Sequence, residues 1–280
     1  MSTELLFAGS IDDAALFPPQ SAPMPVAVEN HRRHRVASYA WLVGPLLCPS
    51  SRTEELAAHI EAPLPVRLVI DSGAGGIGPA VDAVASDDRL ILRGVEIALP
   101  PDSPADAARR AVAALDAAVG GPDDDEPAYV EPARSAGWRD ALEVIAESGY
   151  RAKLRTGGPT PEALPSERTV AEFVLACLDL GISFKCTAGL HRAARHTAAD
   201  GSEQHGFLNI LLAVAACLDG ADVDEAAAVL ADRDGSRLAA RLTGFDEGRA
   251  RGLRRWFTSF GSCSVREPIQ DLIALGLVRE

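Results

Sequence analysis

Lysine is nearly missing. Among 280 residues only Lys153 and Lys185 carry an amine side chain, and the rest of the 27 basic residues are arginines. Lysine is ordinarily among the commonest surface residues, so arginine does the routine surface work here. Part of the deficit matches the alanine- and arginine-rich composition of a high-GC codon bias, which makes the two survivors more informative. Both lie in short apolar stretches, "YRAKLRT" and "SFKCTAG". Basic charge as a whole is also scarce: 40 acidic residues leave a net charge of −13 and a pI near 4.9. That balance argues against a nucleic-acid partner, whose phosphates need a basic stripe. Otherwise a negative surface is simply solubilising.

Other absences narrow the class. Cys48, Cys177, Cys186, Cys217 and Cys263 are odd in number, widely spaced and without a CxxC pair, which reads as reduced thiols in a reducing compartment. "MSTELLFAGSIDDAALFPP" lacks the basic start and apolar core of a signal peptide. The best apolar run, "FLNILLAVAACL" (207–218), suits a buried helix and is too short to span a bilayer. The expectation is a cytoplasmic protein with no membrane partner. No GxGxxG opens the chain; "GAGGIG" (73–78) only partly resembles one and follows the third strand, which weakens a dinucleotide reading. No cofactor and no internal repeat are expected.

What is present is alternation. Eight apolar runs bounded by Gly, Pro and Asp read as strands: 5–10, 41–48, 66–73, 90–99, 128–132, 150–156, 183–189 and 256–262. Between them lie helical patterns. "TVAEFVLACLDLG" places Val170, Phe173, Val174, Cys177 and Leu178 on one face and stops at Gly181. "SPADAARRAVAALDAAVGG" opens at Ser103 and Pro104 and closes on glycines, and "EPIQDLIALGLV" closes the chain. Eight strand–helix units in this length predict an α/β fold, a (β/α)8 TIM barrel forming one domain over 1–280. Residues 192–204 and 219–252 form a polar and helical insertion before the eighth strand. An open doubly wound sheet has the same alternation and is the competing architecture.

In such a barrel, chemistry belongs at the C-terminal strand ends. Those ends carry Asp71, Glu96, Glu131, Lys153 with Arg155 and Thr156, Lys185 with Thr187, and Ser262. Strand alternation puts Lys153 and Arg155 on one face, and Lys185 and Thr187 on one face. Leu154, Phe184 and Cys186 take the other face, against the helices. Both amines should therefore point inward into one pocket shared with Glu96 and Glu131. Burial beside a second cation lowers an amine's pKa, and a neutral amine is what a Schiff-base nucleophile needs. The bland reading of either lysine alone is a buried ion pair.

From this point the chain resembles deoxyribose-phosphate aldolase, a class I aldolase on a (β/α)8 barrel. "KLRTG" (153–157) matches that family's K-x-x-T-G on strand six. "KCTAG" (185–189) keeps the lysine and last glycine of K-x-x-G-G, with Ala188 for the first glycine. "FGSCS" (260–264) is similar to F-G-x-S, with Cys263 in the serine's place. "VEIALP" (95–100) is similar to V-D-x-x-x-P with Glu96 replacing Asp, and "VEP" at Glu131 resembles I-E-T. The matches are short, but five occur in order over roughly 90–191 and 256–264. The resemblance implies Lys153 as Schiff-base former, Lys185 as the cation that lowers its pKa, and Glu96 as proton relay. It also implies a phosphate-binding rim at Gly157, Gly189, Gly261 and Ser262.

Other constellations compete. Asp71, Glu96 and Glu131 on successive strands suit a Mg²⁺ carboxylate cluster in a lyase or isomerase. His191, His196 and His205 invite a zinc reading, but the first pair's spacing puts them on different helix faces. His191 is better placed as an acid/base or substrate contact at the end of strand seven, and His205 as packing at the start of the apolar helix. "NHRRHR" (30–35) reads as a solvated helix face, and "GGPDDDEPA" (120–128) as an acidic surface loop. The leading expectation is an aldolase or related carbon–carbon lyase acting on a small, optionally phosphorylated, carbonyl compound. A non-catalytic barrel binding small anions is the remaining alternative, and the oligomeric state, homo-oligomer included, is left open.

Overall fold

The computed structural model describes residues 2–158 and 164–279. Its central sheet is a closed barrel of β1 (Ile11–Asp13), β2 (Val43–Pro49), β3 (Leu64–Ile70), β4 (Leu90–Ala98), β5 (Ala128–Glu131), β6 (Arg151–Arg155), β7 (Phe184–Thr187) and β10 (Phe257–Ser262). Every neighbouring pair is parallel, and β1 closes the ring by pairing with both β2 and β10. The expected (β/α)8 barrel is the observed fold, and the sheet has no open edge. Helices α2 (Met24–Val36), α3 (Thr53–His59), α4 (Ile77–Ala85), α5 (Pro104–Val119), α6 (Trp138–Ser148), α7 (Glu167–Asp179) and α12 (Arg266–Ala274) follow β1 to β6 and β10 in turn.

The first strand is the correction. Residues 5–10 are not a strand; α1 (Ser2–Phe7) covers the first three and a turn the next two, and the strand starts at Ile11. A short apolar run does not distinguish strand from buried helix by periodicity. Leu6 and Phe7 are buried on the face where α1 packs against α11 (Glu247–Trp256). The true strand, "IDD", is buried at all three positions yet carries two carboxylates, so it lacks an apolar signature.

Strand alternation sorts the barrel into two environments. Val66, Leu68, Val95, Ile97, Val130, Ala152, Leu154, Phe184 and Cys186 are buried in the hydrophobic layer between sheet and helices. The intervening positions turn polar groups inward. The insertion after β7 begins with a hairpin, β8 (His196–Thr197) and β9 (Glu203–Gln204), and then α8 (Phe207–Leu218) supplies the barrel's seventh helix. Helix α8 is apolar on all sides because α7, α9 (Val223–Leu230) and α10 (Gly235–Thr243) surround it. Phe207 stacks on Phe260 of β10 with ring centroids 4.8 Å apart. Asn209 ties the insertion together by accepting from the Arg195 N–H and donating to the Val229 and Asp232 carbonyls. No helix of the described residues is long and apolar enough to cross a membrane. All five cysteines are free, and Cys186 faces the helix layer, near Cys177 of α7.

One glycine makes room for the polar interior. A Cβ on Gly44 of β2 would lie 2.4 Å from Oδ1 of Asp12, so any side chain there displaces that carboxylate. Gly44→Ala is expected to destabilise the protein by about 2–3 kcal/mol through overpacking and loss of a buried charge contact. A urea-unfolding midpoint unchanged from wild type would show that Asp12 moves at no cost.

Candidate functional site

The barrel interior holds a chain of alternating charges. Arg67 of β3 donates to Asp12 of β1 at 2.7 Å, and Asp12 receives Lys185 of β7 at 2.5 Å. Lys185 also binds Oε1 of Glu96 on β4. Oε2 of Glu96 lies 2.9 Å from Lys153 of β6, and Lys153 is 3.1 Å from Glu131 of β5. Glu131 then accepts from Arg155, which ends β6 at the rim with its side chain 45% exposed. Four cations and three carboxylates thus alternate from the wall of β3 to the C-terminal mouth. Lys153 and Lys185 are directly paired in register on neighbouring strands, and both are buried. The ladder also has side supports. Ser259 donates to Asp12 at 2.7 Å, and Tyr129 presents its ring to Arg67 and Lys185, with centroids 5.1 and 5.4 Å away.

The two amines therefore share one interior site with Glu96 and Glu131, as strand alternation predicts. The electrostatics differ from expectation. Burial pulls the Lys153 pKa down, but the Glu96 and Glu131 carboxylates more than offset it, so the pKa lies above that of an ordinary amine; Arg155 opposes them weakly. The resting group is an ammonium, because Glu96 stands between the two lysines instead of leaving them to repel. Burial likewise works against ionised Glu96, yet Lys153, Lys185 and Arg67 hold its carboxyl far below the usual range. For Glu131, too, burial opposes ionisation but Lys153 and Arg155 prevail, and its pKa is lowered.

At the C-terminal rim the remaining candidates take structural positions. Thr156 is fully buried and its Oγ1 donates to the Thr187 and Ala188 carbonyls at 3.1 and 2.8 Å. A Cβ on Gly157 would stand 3.0 Å from the Ala188 backbone and the Gly189 Cα, so the β6 and β7 ends touch backbone to backbone. Gly261 pairs in register with Thr187. Ser262 is buried and donates to the Ser264 carbonyl at 2.9 Å. His191 reaches Glu267 at 3.0 Å, and its Nε2 lies 3.6 Å from the Cys263 sulfur.

Asp71 does not join Glu96 and Glu131. It is exposed, held by the Ser50 and Ser51 hydroxyls and the Ser51 N–H. Slight burial would raise its pKa, but these hydrogen bonds lower it. Among the described residues no three His, Cys, Asp or Glu side chains form a group suited to a metal ion, so neither the Asp71–Glu96–Glu131 cluster nor the histidine trio is realised. His205 is instead buried and bonded to the Pro165 carbonyl at 2.8 Å. His31, expected on a solvated helix face, is buried against Asp13 at 2.9 Å. Asp12, Arg67, Tyr129 and Ser259 were not expected at the site. The signal that marks them is a charged or hydroxyl residue inside a strand run, as in "GSIDDAAL", "PVRLVI" and "FTSFG".

Two measurements check this geometry. Ala188 has φ +64°, a left-handed conformation costly for any residue with a Cβ. Ala188→Gly should stabilise the fold by about 0.5–1 kcal/mol, after the entropic cost of glycine in the unfolded chain; a lowered melting temperature would contradict the strain. Glu96 and Glu131 titrate lower folded than unfolded. Their contribution is complete above the unfolded carboxyl value of about 4.3 and is lost as pH falls through the folded values. Urea unfolding between neutral and acid pH should give a steep loss of stability below about pH 4.3, shallower in Glu131→Gln, because fewer protons are then taken up on unfolding. In comparisons with protein-family models, curated proteins and solved structures, none matches the chain at a significant level, so its chemistry is read from the ladder itself.

Proposed function

We propose that the chain is a class I, Schiff-base-forming carbon–carbon lyase of aldolase type, acting on a small carbonyl compound that enters at the C-terminal mouth. One observation carries this reading: the only two lysines converge on one glutamate inside the barrel, where arginine serves every other cationic role. Guanidinium and ammonium carry the same charge in different shapes, but only the amine can become an imine at neutral pH. The resemblance of 153–157 and 185–189 to the aldolase motifs points the same way.

Lys153 is the nucleophile in this proposal. It lies on the mouth side of the ladder beside Glu131 and rim-exposed Arg155, whereas Lys185 is locked between Asp12 and Glu96 and is fully buried. Its ammonium first loses its proton to solvent by way of Glu131 at the mouth, while Glu96 stays ionised. The free amine adds to the substrate carbonyl and loses water to form a protonated imine. That imine takes up the electron pair of the breaking carbon–carbon bond while a carboxylate removes the proton of the hydroxyl on the departing carbon. Reprotonation of the enamine carbon and hydrolysis of the imine return the product and Lys153. Lys185 keeps Glu96 ionised between turnovers, and Arg155 offers a rim cation to an anionic substituent.

The opposing reading is a purely structural ladder, favoured by the completeness of the pairing. Borohydride trapping with a panel of small aldehydes and ketones, read by intact mass and peptide mapping, separates the two. Labelling is expected at Lys153, lost in Lys153→Arg with the fold retained, and reduced but present in Lys185→Arg. Because the resting Lys153 is an ammonium with a raised pKa, the trapping rate should rise about tenfold per pH unit between pH 7 and 9. Labelling at Lys185 would exchange the two roles. Absence of labelling at either lysine would leave the ladder structural and refute the lyase.

A further inference from the structure

The N-terminal end of the barrel, opposite the proposed entrance, opens into a cavity of about 650 Å³. Its walls come from the starts of strands: Gly9 precedes β1, Arg151 opens β6, Ser183 precedes β7, and Arg254 to Trp256 lead from α11 into β10. Four arginines line it, Arg67, Arg151, Arg254 and Arg255, with Asp124 and Asp125 at the edge. In a chain of net charge −13, this cavity is a local reversal of sign.

The four guanidiniums are unequally satisfied. Arg67 is committed to Asp12. Arg151 is paired at 2.6 Å with Asp124, whose carboxylate is fully exposed on the loop between α5 and β5. Arg254 and Arg255 have no carboxylate partner among the described residues. Arg254 donates only to the Phe257 and Ala8 carbonyls, at 2.9 and 3.1 Å, and Arg255 lies over the Trp256 ring, 5.7 Å from its centroid. Burial lowers the Arg254 pKa to about 10, so the half-buried group is still charged at neutral pH. Two such cations side by side on a cavity wall, without a counter-charge, favour an anion between them.

We infer that this N-terminal cavity is a second binding site, independent of the Schiff-base reading, for a small metabolite carrying a diphosphate or two phosphate groups. Guanidinium forks bind phosphate oxygens in pairs, and one carboxylate would satisfy only one of the three available forks. The cavity volume falls within the roughly 300–1,000 Å³ typical of small-molecule sites, and Tyr129 and Trp256 supply aromatic wall for the rest of the ligand. Asp124 is the internal stand-in: its carboxylate occupies the Arg151 fork that the ligand's phosphate would take.

Titration calorimetry of the full chain with inorganic pyrophosphate at low salt tests the site. Wild type should show saturable one-site binding. Arg255→Gln, at an exposed position, should weaken it about tenfold, the effect of losing one charge-assisted contact. Asp124→Asn should tighten it several-fold by releasing Arg151, an increase that misfolding does not produce. Arg254→Gln should weaken it further, although that variant also loses the bonds to Phe257 and Ala8. Lys153→Arg, which removes the proposed nucleophile, should leave pyrophosphate affinity unchanged. Either no saturable binding, or binding indifferent to Arg255→Gln and Asp124→Asn, overturns the inference; the latter would put the anion elsewhere, including the rim at Gly157 and Gly189.

Discussion

Glu96 is the point on which the interior depends. Lys153 and Lys185 occupy paired positions on neighbouring strands, where two buried ammoniums would repel at the spacing of a β-ladder. The barrel solves this by closure: β4 curves round so that each oxygen of one carboxylate meets one amine. The remaining features accommodate that contact. Asp12 takes the other side of Lys185, Gly44 leaves space for its Oδ1, and Ser259 and Arg67 join Lys185 on its Oδ2. Replacing a buried ion network by apolar side chains is often neutral or stabilising, while removing a single partner costs about 3–5 kcal/mol. The ladder therefore has little value as glue and much value as an arrangement that must be kept whole.

Most of this was legible along the chain, and the failures have physical causes. The strands after the first read correctly because strands buried between helices and interior are dominated by Val, Ile and Leu, and because Lys153 and Lys185 break that pattern at alternating positions. Lys153 and Lys185 were placed inward by the two-residue period alone. The first strand carries no apolar signal because two of its three residues are carboxylates, whereas Leu5, Leu6 and Phe7 at the end of α1 supply one nearby. That displacement hides Asp12, the second carboxylate on Lys185, while the raised pKa of Lys153 comes from Glu96 and Glu131, whose charge outweighs that of the neighbouring cation. His31 was missed for a related reason: in a run of Arg and His, nothing local reveals that one ring turns inward to a buried Asp13. Asp71, Glu96 and Glu131 come from the ends of successive strands, yet Asp71 lies past the end of β3 and is claimed by Ser50 and Ser51.

The two ends of the barrel are built differently. At the C-terminal end, Thr156 and the close approach of Gly157 to Ala188 and Gly189 lace β6 to β7 with main-chain contacts. At the N-terminal end, long arginine side chains surround open volume. Arg67 belongs to both descriptions, since it walls the cavity and forms the first rung of the ladder. Any change in how Arg67 shares its charge is felt at Asp12, and through Asp12 at Lys185.

The scarcity of lysine has a consequence beyond the barrel. Lys153 and Lys185 are 2% and 0% exposed, so the native surface presents no lysine amine at all. Acetylation, ubiquitin-type conjugation and amine-directed crosslinking have no side-chain target while the fold is intact. Cleavage after lysine by a specific protease likewise requires the barrel to open. An ε-amine becoming reactive toward a bulky reagent is thus a direct report of unfolding, and any quality-control system that marks proteins through lysine would meet this one only after it has lost its structure.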